Sequence, residues 1–160
     1  MSEMITATDP HQFLTFALGQ EEYGVAILKI QEIKGFSAIT PLPNTPPHVK
    51  GVLNLRGTII PIVDLRKKFR LPAVAYDQFT VIVVVQVQGK TLGFIVDAVR
   101  DVLTVTAQDI QPTPDLAGQV DTACLTGLAK AGEKLVILLD IDQVLTQAEV
   151  QAAAEVAGRN

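Results

Sequence analysis

Tryptophan is absent from this chain, cysteine occurs once and histidine twice. With no tryptophan and few other aromatics, a base-stacking platform has no support. The basic residues form no stripe, so no nucleic-acid partner is expected. A single cysteine, Cys124, cannot close an internal disulfide, which fits a reducing compartment. It stands among small and apolar residues with no histidine beside it and reads as a small core residue rather than a nucleophile. His11 follows a polar N-terminal stretch and His48 lies in a proline-rich loop. Neither has a ligand partner at metal-site spacing, and both read as surface or loop packing. No catalytic residue, metal or cofactor is therefore expected: a serine or cysteine triad has no obvious base, and no phosphate-cradling glycine motif occurs. The longest apolar run, Val81 to Val85, is far below the ~18–20 residues that span a bilayer. The first residues carry no hydrophobic run of a signal peptide. Any membrane association is expected to come through a partner, without direct insertion.

What is present is a body able to fold. The chain has 160 residues, 48% of them apolar, and a formal net charge of -4. That size suits one domain or two very small ones and buries roughly 70% of the unfolded chain's surface. The short basic cluster Arg66-Lys67-Lys68 with Arg70 reads as a solvated helix face. Asp97 and Asp101 lie four apart, and Asp140 and Asp142 two apart. Such pairs suit acid–base work or a hard cation, but a structural role in turns is the simpler reading.

The most informative stretch is Val52 to Arg66. Leu53 and Leu55 alternate with Asn54 and Arg56, so the leucines enter a core while Asn54 and Arg56 face outward. Gly57 supplies the turn and Ile59 to Leu65 returns as a strand. A rigid β platform then displays a planar, permanently charged group suited to bidentate recognition. Arg56 admits three readings: a hot spot facing a partner, an internal ion pair that orders the turn, or a catalytic electrophile. Of Ile30 and Ile33, one is expected in the core and the other exposed beside Arg56.

The pattern of elements repeats. Phe13 to Leu18 and Tyr23 to Ile27 predict a hairpin, Leu28 to Gln31 a helical turn, and the chain through Ile33 a third strand. Thr45 is placed to cap a helical turn started by Pro46. Lys67 to Leu71 predicts a short helix ended by Pro72. Phe79 to Val87 and Thr91 to Val96 then predict a second hairpin around Gln88-Gly89. A shift of 69 places Leu14 on Val83, Gly24 on Gly93, Ile30 on Val99, Glu32 on Asp101 and Ile33 on Val102. A shift of 76 places Gly51 on Gly127 and Asp64 on Asp140. The change of shift predicts a longer connection near Pro112–Gln119, where turn formers collect. Small strand sets avoid open edges by closing into barrels.

The expected fold is all-β: two small β-barrel subdomains side by side, with short helical turns and a C-terminal helix. Residues 1–10 form a flexible arm, 11–75 the first barrel, 76–145 the second and 146–160 the helix and tail. Thr146 and Glu149 make a capping box for that helix. Its thin apolar face, Val150, Ala153, Ala154 and Ala157, predicts weak docking and a frayed end. The Asn54-Leu55-Arg56-Gly57 turn has Lys130-Ala131-Gly132-Glu133 as its counterpart, so the scaffold is repeated but the arginine is not.

These residues resemble the chemotaxis coupling-protein family, CheW. The resemblance runs from Phe13 to Leu145, as one domain over about 11–150. It is carried by Glu22-Tyr23-Gly24, the stretch Ile27 to Ile33, Asn44-Thr45-Pro46, Lys50 to Gly57 running into Pro61 to Arg66, Asp97 to Leu103, and Leu125 to Leu128. It implies two SH3-like five-stranded barrels and a non-enzymatic, cytoplasmic adaptor. Such proteins join methyl-accepting chemotaxis receptors to the histidine kinase CheA, whose regulatory domain has the same fold, and are recruited to receptor clusters through those partners. By position the resemblance implies a receptor-binding groove of Ile30, Glu32, Ile33, Gly51, Val52, Asn54, Arg56 and Gly57, extended by Val99 and Val102. Other readings are a coupling protein of a twitching or developmental pathway, a coupling domain fused to a phospho-receiver, or a small enzyme or metal-dependent sensor using the aspartates. The short arm and closing helix favour a stand-alone chain.

Overall fold

A computed structural model describes residues 10–111 and 125–158. Cys124, the expected connection near 112–119 and most of the N-terminal arm lie outside the described residues. The strands are β1 (Pro10–Leu18), β2 (Glu21–Ala26), β3 (Ile30–Gly35), β4 (Val49–Leu55), β5 (Thr58–Asp64), β6 (Val81–Val87), β7 (Lys90–Val96), β8 (Ala98–Thr106), β9 (Ile110–Gln111), β10 (Leu125–Ala131) and β11 (Lys134–Leu139). Two 3-10 turns (Ile27–Lys29 and Ala107–Asp109) and three α-helices complete the order: α1 (Leu65–Lys68) after β5, α2 (Ile141–Val144) after β11, and α3 (Gln147–Gly158).

Two-residue turns set the hairpin registers. Leu55 faces Thr58 across Arg56-Gly57, and Val87 faces Lys90 across Gln88-Gly89. Both residues of each turn have positive φ: 52° and 91° for Arg56 and Gly57, 52° and 80° for Gln88 and Gly89. This is the turn whose twist matches that of the strands it joins.

The two sheets do not follow the two halves of the sequence, which corrects the expected division at residue 75. One sheet has the order β8-β1-β2-β11-β10-β9 and the other β3-β6-β7-β5-β4. Each half gives strands to both sheets. The β1–β2 hairpin pairs with β8 and with β11 from the second half, and the β6–β7 hairpin with β3 and β5 from the first. The repeat itself is real: under the equivalence of β1 to β5 with β6, β7, β8, β10 and β11, the two strand orders coincide except for the added edge strand β9. Asp64 caps α1 by accepting the Arg66 N–H, and Asp140 caps α2 by accepting the Asp142 N–H. The two modules are thus SH3-like barrels of intertwined origin.

Burial explains the arrangement. A central cluster draws on both sheets: Phe16 and Leu18 from β1, Val83, Val85 and Val87 from β6, and Phe94 from β7. Each barrel has its own smaller core, one around Ile60, Ile62, Ile82 and Val84, the other around Phe13, Ala129, Val136 and Leu138. Strand β6 is therefore buried on both faces, which is why it reads as a continuous apolar run rather than an alternation.

Helix α3 departs from the expected weak docking. Val150, Ala153 and Val156 are buried in the central cluster. Its start is fixed by the predicted capping box, in which the Thr146 N–H donates to Glu149 Oε1 at 2.8 Å and the Glu149 N–H to Thr146 Oγ1 at 3.0 Å. Lys68 Nζ reaches the same carboxylate at 2.8 Å. The turn at Pro46 stops at one Val49 N–H to Pro46 O bond of 3.0 Å and makes no helix.

Candidate docking surface

Arg56 sits at a backbone position that disfavours a side chain. Its φ of 52° is left-handed, and the equivalent turn residue in the other barrel is Gly132, at 66°. A non-glycine residue there costs about 1–2 kcal/mol of backbone strain. Asn54 Oδ1 accepts the Gly57 N–H at 2.8 Å and steadies the turn.

Barrel closure brings the turn to β3. Thr40, beyond β3, bridges to Val52 of β4 and rolls the five-stranded sheet shut. Arg56 then donates to both oxygens of Glu32, Nη1 to Oε2 at 3.3 Å and Nη2 to Oε1. These hydrogen bonds hold the Glu32 carboxyl below its ordinary value and raise the guanidinium above its own. The Arg56 side chain nevertheless remains 71% exposed. The internal ion pair is therefore present, and it does not seal the guanidinium from solvent.

The remaining expected residues divide. Ile33 is exposed on β3 and Ile30 packs against the central core, as the expectation of one in and one out requires. Gln31, the extra residue of a β3 bulge, is bonded to Gln86 at 2.7 Å. Asn54 and Gly57 are exposed beside Arg56. Gly51 and Val52 are corrections, because both are interior. Val52 is only 2% exposed and belongs to the central cluster. A Cβ on Gly51 would lie 2.2 Å from the Thr40 carbonyl oxygen, so this glycine serves close strand approach at a β4 bulge. Its counterpart Gly127 has the same crowding, against Gln111 O at 2.7 Å. Val99 and Val102 lie on β8, in the other sheet, at the positions equivalent to Ile30 and Ile33. Val99 packs on the central core and Val102 is exposed.

The candidate carboxylates are held in structural contacts. Asp97 accepts from Arg66 at 2.8 and 2.6 Å and from the Gly19 N–H at 2.8 Å. Burial pushes its carboxyl up, but the bonds from Arg66 and Gly19 outweigh that and leave it below the usual value. Asp142 accepts from Lys29 at 2.8 Å and from the Gln88 N–H at 3.0 Å. Asp64 accepts the Tyr76 hydroxyl at 2.9 Å. Among the described residues no group of three or more His, Cys, Asp or Glu side chains is placed to hold a metal ion. The basic cluster is a solvated face only in part: Lys67 and Arg70 are exposed, but Arg66 is mostly buried against Asp97 and Lys68 is paired with Glu149. His48 is buried at 9% exposure with no partner for Nε2, and desolvation lowers its pKa.

Sequence reasoning did not single out the exposed apolar residues Leu28, Val74, Phe79 and Leu135. Leu28 is 81% exposed on the 3-10 turn Ile27–Lys29. The signal was available, since Ile27 and Ile30, three apart, turn to the core and leave Leu28 on the opposite side.

A doubled, intertwined SH3-like barrel that displays a charged turn and exposed apolar strand residues defines a β scaffold with its candidate chemistry at the surface. Residues 12–149 match the CheW-like domain. The chain is 45% identical to chemotaxis protein CheW of Klebsiella aerogenes, over 98% of this chain and 95% of that one. It is 37% identical to chemotaxis protein CheW of Rhizobium meliloti, over 89% and 92%. The crystal structure of the scaffolding protein TtCheW from Thermoanaerobacter tengcongensis superposes with a TM-score of 0.80 at 33% identity, covering 88% of this chain and 96% of that one. The chain belongs to the CheW family of chemotaxis coupling proteins.

Proposed function

We propose that this chain is a chemotaxis adaptor that performs no chemistry of its own and couples methyl-accepting receptors to the histidine kinase CheA on the cytoplasmic side of the membrane. The receptor meets Ile33, Glu32, Asn54 and the Arg56-Gly57 turn, with Val102 on the neighbouring barrel. The regulatory domain of the kinase meets other faces of the same body. Coupling follows if the adaptor binds the receptor's signalling states unequally, or holds the kinase where the receptor can act on it. That every candidate carboxylate is engaged in turns or ion pairs within the chain favours this reading over a metal-dependent sensor.

The observation that carries the reading is Arg56, kept exposed at a strained turn although glycine would fit there better. Of the guanidinium's five N–H donors, two are engaged with Glu32, which leaves three for a partner. The paired charges present donors and acceptors together, a surface suited to polar and amide side chains as well as to carboxylates. The test mixes purified protein with receptor-bearing membranes and kinase, and follows co-sedimentation and kinase activity. Arg56→Ala keeps its fold and loses receptor coupling. Unchanged coupling, or global unfolding of that variant, removes the assignment.

A further inference from the structure

The two barrels close in the same way but end differently. In the five-stranded barrel, no strand ladder joins β3 to β4 beyond the Thr40–Val52 bridge, and Arg56 crosses that seam to Glu32. In the other barrel, β9 pairs with β10 only at Ile110 and Gln111, and the seam between β8 and the rest of β10 has no ladder among the described residues. The repeat places Asp101 at the position of Glu32 and Gly132 at that of Arg56. Glycine cannot reach across. A cleft of about 290 Å³ stands there, its lining drawn from Thr15, Val102 and Leu103 together with the charged side chains of Glu22, Arg100, Asp101 and Lys134.

Arg100 is aimed by the backbone. Thr15 faces Asp101 and Phe16 faces Val99, so Arg100 is the extra residue of a bulge. Thr15 Oγ1 fixes the bulge, donating to Asp101 O at 3.2 Å and accepting from the Asp101 N–H at 3.0 Å. Bulges of this kind redirect side chains at functional edges. The other charges lining the cleft are engaged: Lys134 lies 3.7 Å from Glu22, and Asp101 Oδ1 accepts the Val102 N–H at 2.8 Å. Arg100 has no ion-pair partner among the described residues. Beside it Val102 and Leu135 are each 46% exposed.

We infer that this open seam is a second contact of the receptor surface and takes a carboxylate-bearing receptor side chain flanked by apolar ones, with Arg100 as the carboxylate's partner. The inference rests on the receptor reading of Arg56. It follows from a guanidinium that has no ion-pair partner among the described residues, suited to a carboxylate fork, set beside exposed apolar side chains and continuous with Val102.

The test titrates the full chain against receptor-bearing membranes and measures co-sedimentation for wild type, Arg56→Ala, Arg100→Glu, Arg100→Ala and Arg70→Glu. Arg70 is an exposed arginine outside both seams and controls for general charge. Arg100→Glu weakens binding at least about tenfold, the loss of a hot spot. Arg100→Ala weakens it less, and Arg70→Glu binds as wild type. Both Arg100 variants melt as wild type does. If Arg100→Glu and Arg100→Ala bind normally while Arg56→Ala does not, the seam inference falls and the receptor reading stands. Equal loss in Arg70→Glu, or unfolding of both Arg100 variants, also overturns the inference. Failure of wild type to sediment removes the receptor reading, and this inference with it.

Discussion

Arg56 and Glu32 join a turn to a strand that no backbone ladder connects to it. The pair sits at the mouth of a closed barrel, where its ends stay wet. An exposed pair of this kind contributes little to stability, because water screens it and two side chains must be ordered to make it. Its value lies in holding a guanidinium in one orientation.

Stability and docking should therefore separate at Arg56. Arg56→Gly relieves the left-handed backbone, as Gly132 does in the other barrel. The melting temperature of this variant is expected to equal or exceed that of wild type, with a gain of up to roughly 2–4 °C. Its receptor co-sedimentation falls as in Arg56→Ala. Differential scanning calorimetry and sedimentation on the same preparation check both halves. A clear loss of melting temperature would mean the arginine serves the fold.

Gly51 behaves in the opposite way. Its φ is 153°, and the Thr40 carbonyl oxygen would stand 2.2 Å from an added Cβ, so there is no room for alanine. Gly51→Ala is expected to destabilise the protein by about 3 kcal/mol or more, through strain and a broken Thr40–Val52 bridge. Urea unfolding measures it. Any loss of coupling in this variant tracks the unfolded fraction and disappears when binding is corrected to folded protein.

His48 predicts an acid-sensitive joint. It lies near Glu149 of α3 and Lys68 of α1, and its backbone carbonyl accepts the Asp64 N–H of β5 at 2.9 Å. Burial lowers its pKa from 6.5, with Glu149 opposing and Lys68 assisting. The folded protein thus binds this proton less readily than the unfolded chain. The stabilisation is fully present above the unfolded value and is lost as pH falls through the lowered folded one. Between pH 7.5 and 5 the melting temperature of wild type falls more steeply than that of His48→Gln. Parallel curves would show that His48 does not report on the α3 joint.

Much of this was legible in the chain. Hairpins announced themselves through Gln88-Gly89 and Arg56-Gly57, and the offsets of 69 and 76 anticipated the matched caps at Asp64 and Asp140. Strand partners were not legible. A repeat states which segments are alike but not whether each pairs with its own half or the other, and β6 looks the same on either route. Val52 was not legible either, because its place in the groove rests on the family resemblance alone. Pairing is regular from Gly51 to Leu55, so Val52 shares a face with exposed Asn54, and only packing of the central cluster covers that face at Val52. Long-range ion pairs such as Arg66 with Asp97 and Lys29 with Asp142 carry no local sequence signal at all.

Strand exchange makes the halves interdependent, and this can be tested by cutting the chain between Ala75 and Tyr76, beyond α1 in an exposed stretch. The first fragment lacks β6 and β7, so β3 loses β6, β5 keeps only β4, and β1 and β2 lose β8 and β11. Its apolar faces have nothing to bury them, and Lys29, Arg66 and Lys68 lose Asp142, Asp97 and Glu149. Neither fragment is expected to fold alone, and circular dichroism and amide exchange of each should report an unfolded or aggregating chain. Mixed or co-expressed, the two should assemble into one particle with a cooperative melt, because both the central core and the ion pairs run between them. A first fragment that folds by itself into a stable barrel would mean that the exchange of strands contributes little, and that the sequence repeat marks two independent modules.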